Sequence, residues 1–134
     1  MSRAIHIEVP LRIESTPNKR EHWAKRAARA KLHRTTVWAG LRQADVFPRL
    51  MGPVVVTITR VAPRELDDDN LAAGAKSVRD GVADWLGVDD RDPRITWRYA
   101  QERGKPREYA CHVMAESVDV PKDEFVRAQE ATDV

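Results

Sequence analysis

A chain of 134 residues and 15.2 kDa makes one domain, able to bury roughly two-thirds of its unfolded surface without staples. With 42% hydrophobic and 33% charged residues it reads as globular, and its one cysteine, Cys111, excludes an internal disulfide framework or a multi-cysteine zinc site. No apolar run approaches the ~18 residues of a membrane span, and the alternating N-terminus lacks the apolar block of a signal peptide, so a cytoplasmic setting is the expectation.

Residues 5–13 place Ile5, Ile7, Val9, Leu11 and Ile13 on one face, the period of a half-buried strand. Residues 14–18 read as a turn. From about 19 to 44 the spacing is helical, with Trp23, Ala27, Ala30, Val37, Trp38 and Leu41 as the core stripe. Residues 47–53 connect to a β-branched strand over 54–61, which Pro63 ends. A second helix over 70–86 carries Leu71, Ala75, Val78, Val82 and Trp85 inward, and Gly87 stops it. Residues 94–102 and 108–115 form a predicted β-hairpin around Gly104-Lys105-Pro106. The order β-α-β-α-β-β predicts a small α/β (α+β) domain, a mixed sheet with two main helices over 1–115, followed by an acidic tail over 116–134.

The net charge of +2 hides blocks of opposite sign. Residues 19–42 hold eight Lys/Arg against Glu21, a net of +7, while residues 64–92 hold four basic groups against nine acids, a net of −5. Residues 94–107 return to +4 and the last 19 residues carry −4. A basic block suits a polyanion; a compact acidic block repels one unless cations sit between. Carboxylates gathered on one site would bind Mg²⁺ or Mn²⁺, which prefer oxygen ligands and activate water against a phosphodiester.

Two acidic stations stand out. Asp67 and Asp69 precede the second helix, and Asp89 and Asp90 follow it. A straight helix over 70–86 spans roughly 25 Å, so the stations meet only if the next strand returns across the sheet or the helix is shorter. Asp69, Lys76 and Asp80 fall on one line of that helix, away from the apolar stripe. The alternative is an N-cap, a solvated turn and a Lys76–Asp80 surface pair.

These residues resemble the RusA family of Holliday junction resolvases: an Asp-x-Asp-Asn motif opening a helix (Asp67-Asp68-Asp69-Asn70), a lysine and an aspartate four apart (Lys76, Asp80) and an Asp-Asp pair beyond it (Asp89-Asp90). Pro17-Asn18 with Arg20 and His22 is similar to the family's segment after the first strand. The resemblance implies a homodimeric, Mg²⁺-dependent endonuclease cutting four-way DNA junctions, with Mn²⁺ able to substitute. It implies that Asp67, Asp69 and Asp90 bind the metal and that Lys76 is catalytic or touches DNA. Lys76 follows Asp69 by more residues than the family's lysine does, and Gly74 lies in the added stretch.

The basic helix supplies the DNA-contact candidates Lys19, Arg20, Lys25, Arg26 and Arg29, with Lys31 and Arg34 beyond them. His22 and His33 read as surface or DNA-facing groups, and the four tryptophans as mostly core. No P-loop or GxGxxG occurs, so no nucleotide cofactor is expected. The alternative function is a branched-DNA-binding module without cleavage, or an acidic patch docking a basic partner.

Overall fold

The computed structural model describes residues 4–14, 22–45 and 52–117. Its elements are β1 (Ala4–Val9), α1 (Trp23–Ala44), β2 (Val54–Ala62), α2 (Asp68–Gly74), α3 (Lys76–Leu86), β3 (Ile95–Arg103) and β4 (Ala110–Ser117). The four strands form one mixed sheet in the order β1-β4-β2-β3. The fold is thus α+β, with three helices rather than two among the described residues. No helix among the described residues is long and apolar enough to cross a membrane.

Period two runs coherently across the sheet. Ile5, Ile7 and Val9 face one side beside Ala115, Val113 and Cys111, which lie beside Val56, Ile58 and Arg60 of β2. Ile95, Trp97 and Tyr99 continue the row on β3. This is the face that α1 and α3 cover, with Val37, Leu41, Ala75, Val78, Val82 and Trp85 in the same core. The helices approach closely at Gly81, where an added Cβ would lie 2.5 Å from the Arg34 carbonyl oxygen. Burial pushes the Cys111 thiol up to about 12, so it is a packing group and not a nucleophile.

Four expectations need correction. The predicted hairpin does not form: β3 runs parallel to β2, and β4 runs antiparallel to β2 on its other side and also pairs β1. The connection over 104–109 steps across the end of β2, a distance of about 10 Å that six residues easily span. The second helix begins at Asp68 and breaks at Ala75. There the chain around Glu14 presses in so closely that a Cβ on Gly74 would lie 2.3 Å from the Glu14 carbonyl oxygen. Gly74 is therefore a docking point, and Asp69 does not share one unbroken helical line with Lys76 and Asp80. β1 ends at Val9, although Leu11 and Ile13 beyond it are buried. The boundary placed at 115/116 falls inside β4; residues 118–134 of the acidic tail lie outside the described residues.

The basic helix also differs from its predicted stripe. α1 starts at Trp23, capped by the His22 ring accepting from the Ala24 amide. Its buried residues are His33, Val37 and Leu41, whereas Trp23 is 69% exposed. His33 is not DNA-facing: burial, with Arg29 nearby, holds its pKa below the usual imidazole value.

Candidate functional site

The Asp67–Asn70 station is built by the strand that precedes it. Arg60 occupies an inward position of β2, 7% exposed, where an aliphatic residue would be ordinary. Its Nε donates to the Ile13 carbonyl at 2.8 Å and its Nη1 to the carbonyl of Arg64. Gln101 of β3 accepts from the Leu66 amide at 2.9 Å and donates to the Leu66 carbonyl at 2.7 Å. Together they fix the backbone that delivers Asp67. The Asp67 carboxylate then caps α2: Oδ1 accepts from the Asn70 amide at 2.8 Å and Oδ2 from the Asn70 side chain at 3.0 Å. Asp68 and Asp69 stand exposed in the first turn, where the helix dipole favours negative charge. Lys76 is exposed at the start of α3, and no ion pair joins it to Asp80.

The Asp89–Asp92 station is built differently. Arg79 of α3 reaches it with its whole guanidinium: Nε donates to Asp90 Oδ2 at 3.1 Å, Nη2 to the Asp90 carbonyl at 3.0 Å and Nη1 to the Tyr99 hydroxyl at 3.2 Å. The guanidinium carbon sits 4.6 Å over the Trp97 ring, and the Trp97 indole N–H donates to the same Asp90 carbonyl at 2.9 Å. Asp89 accepts from the Arg91 amide, which holds its carboxyl below the usual range. Asp92 is lowered by the Arg94 side chain, bound through two nitrogens. A cavity of about 230 Å³ opens here, lined by Asp80, Asp84, Asp89 and Asp90 with Arg34, whose fork on Asp84 at 2.6 and 2.8 Å lowers that carboxyl too.

The two stations open and close one crossover. β2 and β3 are parallel, with Val54 opposite Ile95 and Ala62 opposite Arg103. The chain leaves β2 at the Ala62 end, passes Asp67 and Asp69, and re-enters the sheet at the Ile95 end just after Asp90. Neither station stays at its end of the strand: the Leu66 backbone is held by Gln101, while the Asp90 carbonyl accepts from Trp97 and its carboxylate shares Arg79 with the Tyr99 hydroxyl, so both stations lean on the same face of β3. Among the described residues no group of three or more His, Cys, Asp or Glu side chains is placed to hold a metal ion. Asp67, Asp69 and Asp90, the implied Mg²⁺ ligands, do not form such a group. Both Asp67 oxygens are engaged by Asn70, and one Asp90 oxygen by Arg79, so neither group is an uncommitted ligand.

Of the DNA-contact candidates, Lys25 and Arg26 are exposed on α1. Arg29 is committed to Glu14 at 3.2 Å. Lys19 and Arg20 lie outside the described residues. Sequence reading missed Arg60, Gln101 and Arg79. Arg60 and Gln101 carry a signal in hindsight, since each sits at an inward position of an otherwise apolar period-two pattern; Arg79 shows none, because its partners come from β3 and the turn before it.

No protein-family profile matches the chain. It is 36% identical over 89 residues to an uncharacterized protein of Xylella fastidiosa, an alignment covering 57% of this chain and 53% of that protein. The chain thus spans about half the length of the curated relative it matches.

Proposed function

We propose that the protein is a homodimeric, metal-dependent endonuclease acting on branched DNA, four-way junctions foremost, as the RusA resemblance implies. The observation that carries this reading is the division of charge: Asp68 and Asp69 are exposed and unpaired at the mouth of α2, while Lys25, Arg26 and Lys31 are exposed and unpaired on α1. Free carboxylates on a chain that binds a polyanion are costly unless a cation works between them. Mg²⁺ or Mn²⁺ would activate water and neutralise charge on the phosphodiester. A twofold dimer matches a twofold junction. In this reading Arg60 and Gln101 hold the Asp67 segment in place, Arg79 orients Asp90, and Lys76 offers its ammonium to a phosphate.

Purified protein incubated with a labelled four-way junction tests it directly: paired cuts with Mg²⁺ and none in EDTA are the expected result. Mixing Asp69→Asn with Asp90→Asn then asks whether two chains build the site. Activity restored above either variant alone supports a shared site; no restoration confines each site to one chain. Junction binding in EDTA with no cleavage after Mg²⁺ or Mn²⁺ is supplied would leave the binding-module alternative.

A further inference from the structure

α1 outruns the body of the domain. It has 22 residues, about 33 Å, but no residue from Trp23 to Leu32 is buried, and its core contacts begin at His33. Trp23 lies 18 residues, five full turns, before Leu41 and therefore on the same line of the helix. Leu41 is fully buried and Trp23 is 69% exposed. The core-facing line of the helix thus continues past the edge of the fold and ends in an indole ring in water. The His22 ring sits beside it, 5.5 Å between centroids at a tilt of 31°.

The charge around this ring is one-sided. Lys25, Arg26 and Lys31 are exposed and without ion pairs, and α1 contains no Asp or Glu. The positive end of the helix dipole adds to them. Packing α1 against α1 of a second copy would bring like charges together, which disfavours self-association through this end. Duplex phosphates would satisfy the cations but leave the ring in water. A ligand pairing flat apolar rings with a phosphate backbone satisfies both.

We propose that the overhanging end of α1 is a docking surface for unpaired nucleotides, with a base stacking on Trp23 and the flanking phosphates on Lys25, Arg26 and Lys31. This rests on the nucleic-acid part of the proposed function and adds what it leaves open, a device that tells a branch point from continuous duplex. Stacking on an exposed aromatic ring tolerates any base, so the surface would read single-strandedness and not sequence.

The test uses the full chain, a twenty-residue oligothymidylate, a duplex of equal length and a four-way junction. Trp23→Ala should weaken oligothymidylate binding at least about fivefold and duplex binding less than about twofold, with Trp23→Phe retaining most of the affinity. Its salt slope should match wild type, whereas Lys25→Ala with Arg26→Ala should make the slope shallower by about 1.5 on single strands. Trp23 is exposed, so its variants should melt with wild type, which circular dichroism checks. Equal losses on duplex and single strand, or no loss on either, overturn the proposal. So does a Trp23→Ala protein whose nucleotide binding is intact but whose sedimentation shifts from dimer to monomer, because a second copy then covers the ring. A protein that cuts junctions but binds single strands independently of Trp23 removes this inference alone. One that binds them through Trp23 but cuts nothing with Mg²⁺ or Mn²⁺ removes the nuclease reading alone.

Discussion

The two acidic stations contain the same residue type at similar density and use it in opposite ways. At Asp67–Asn70 one carboxylate caps the helix and the next two are left facing solvent. At Asp89–Asp92 each carboxylate accepts a hydrogen bond, from Arg79, the Arg91 amide or the Arg94 side chain. The first station leaves charge available; the second consumes it in holding a turn. Acidic density in a sequence therefore measures potential for chemistry, and the surrounding cations decide how much is left.

The sharpest way to break this contrast is Asp69→Asn. In the proposed enzyme, junction cleavage should fall by at least about a hundredfold while urea unfolding changes by under ~0.5 kcal/mol, because Asp69 holds nothing in the fold. A wild-type cleavage rate would remove the first station from the chemistry. Arg79→Ala comes next in size. It strips Asp90, the Tyr99 hydroxyl and the Trp97 ring of one shared partner, and unfolding should show a loss of about 2 kcal/mol. Arg79→Lys should recover only part of it, since an ammonium cannot hold three fixed acceptors and stack at once.

The arrangement of these groups was only partly legible in the sequence. The strands themselves were legible, β1 from its period of two and β2 from its β-branched run, because each has a face on the core. Strand pairing was not legible. A six-residue loop containing Gly104 and Pro106 suits a hairpin as well as a step across one strand, and only the need of the apolar β2 for a neighbour on both sides selects the latter. The helix break was signalled by Gly74, but its cause, the chain at Glu14, lies sixty residues earlier. Trp23 misled because helical spacing reports direction around the axis and not where the body of the domain ends.

Smaller effects sharpen the comparison further. Asp67→Ala should cost about 1 kcal/mol through the lost cap of a seven-residue helix, and Asp67→Asn clearly less. Differential scanning calorimetry resolves the difference. Acid should act on the second station. The Asp92 carboxyl is held below its ordinary value by Arg94, so the folded state binds its proton later than the unfolded chain does. Its contribution is complete above the unfolded value of ~3.9 and is lost as pH falls through the lower folded value. Asp92→Asn should therefore flatten the decline of stability below about pH 4 and leave the profile near neutrality parallel to wild type. An unchanged acid limb would show that the Arg94 pair contributes nothing in solution.

The position of β4 bears on how the protein is made. The strand between β1 and β2 is the last of the four to be synthesised, so a nascent chain that ends before Ala110 has β1 on hand with no strand to pair and β2 with one side bare. Helices α1 and α3 can dock early, but the sheet closes only when eight residues from the far end of the domain slide between two strands already in place. Closure therefore depends on contacts between residues as far apart as Ala4 and Glu116, which makes for slow folding and a bare apolar edge on ribosome-bound intermediates. A product cut short within β4 is expected to expose that edge and to lose solubility, which its partition between supernatant and pellet checks.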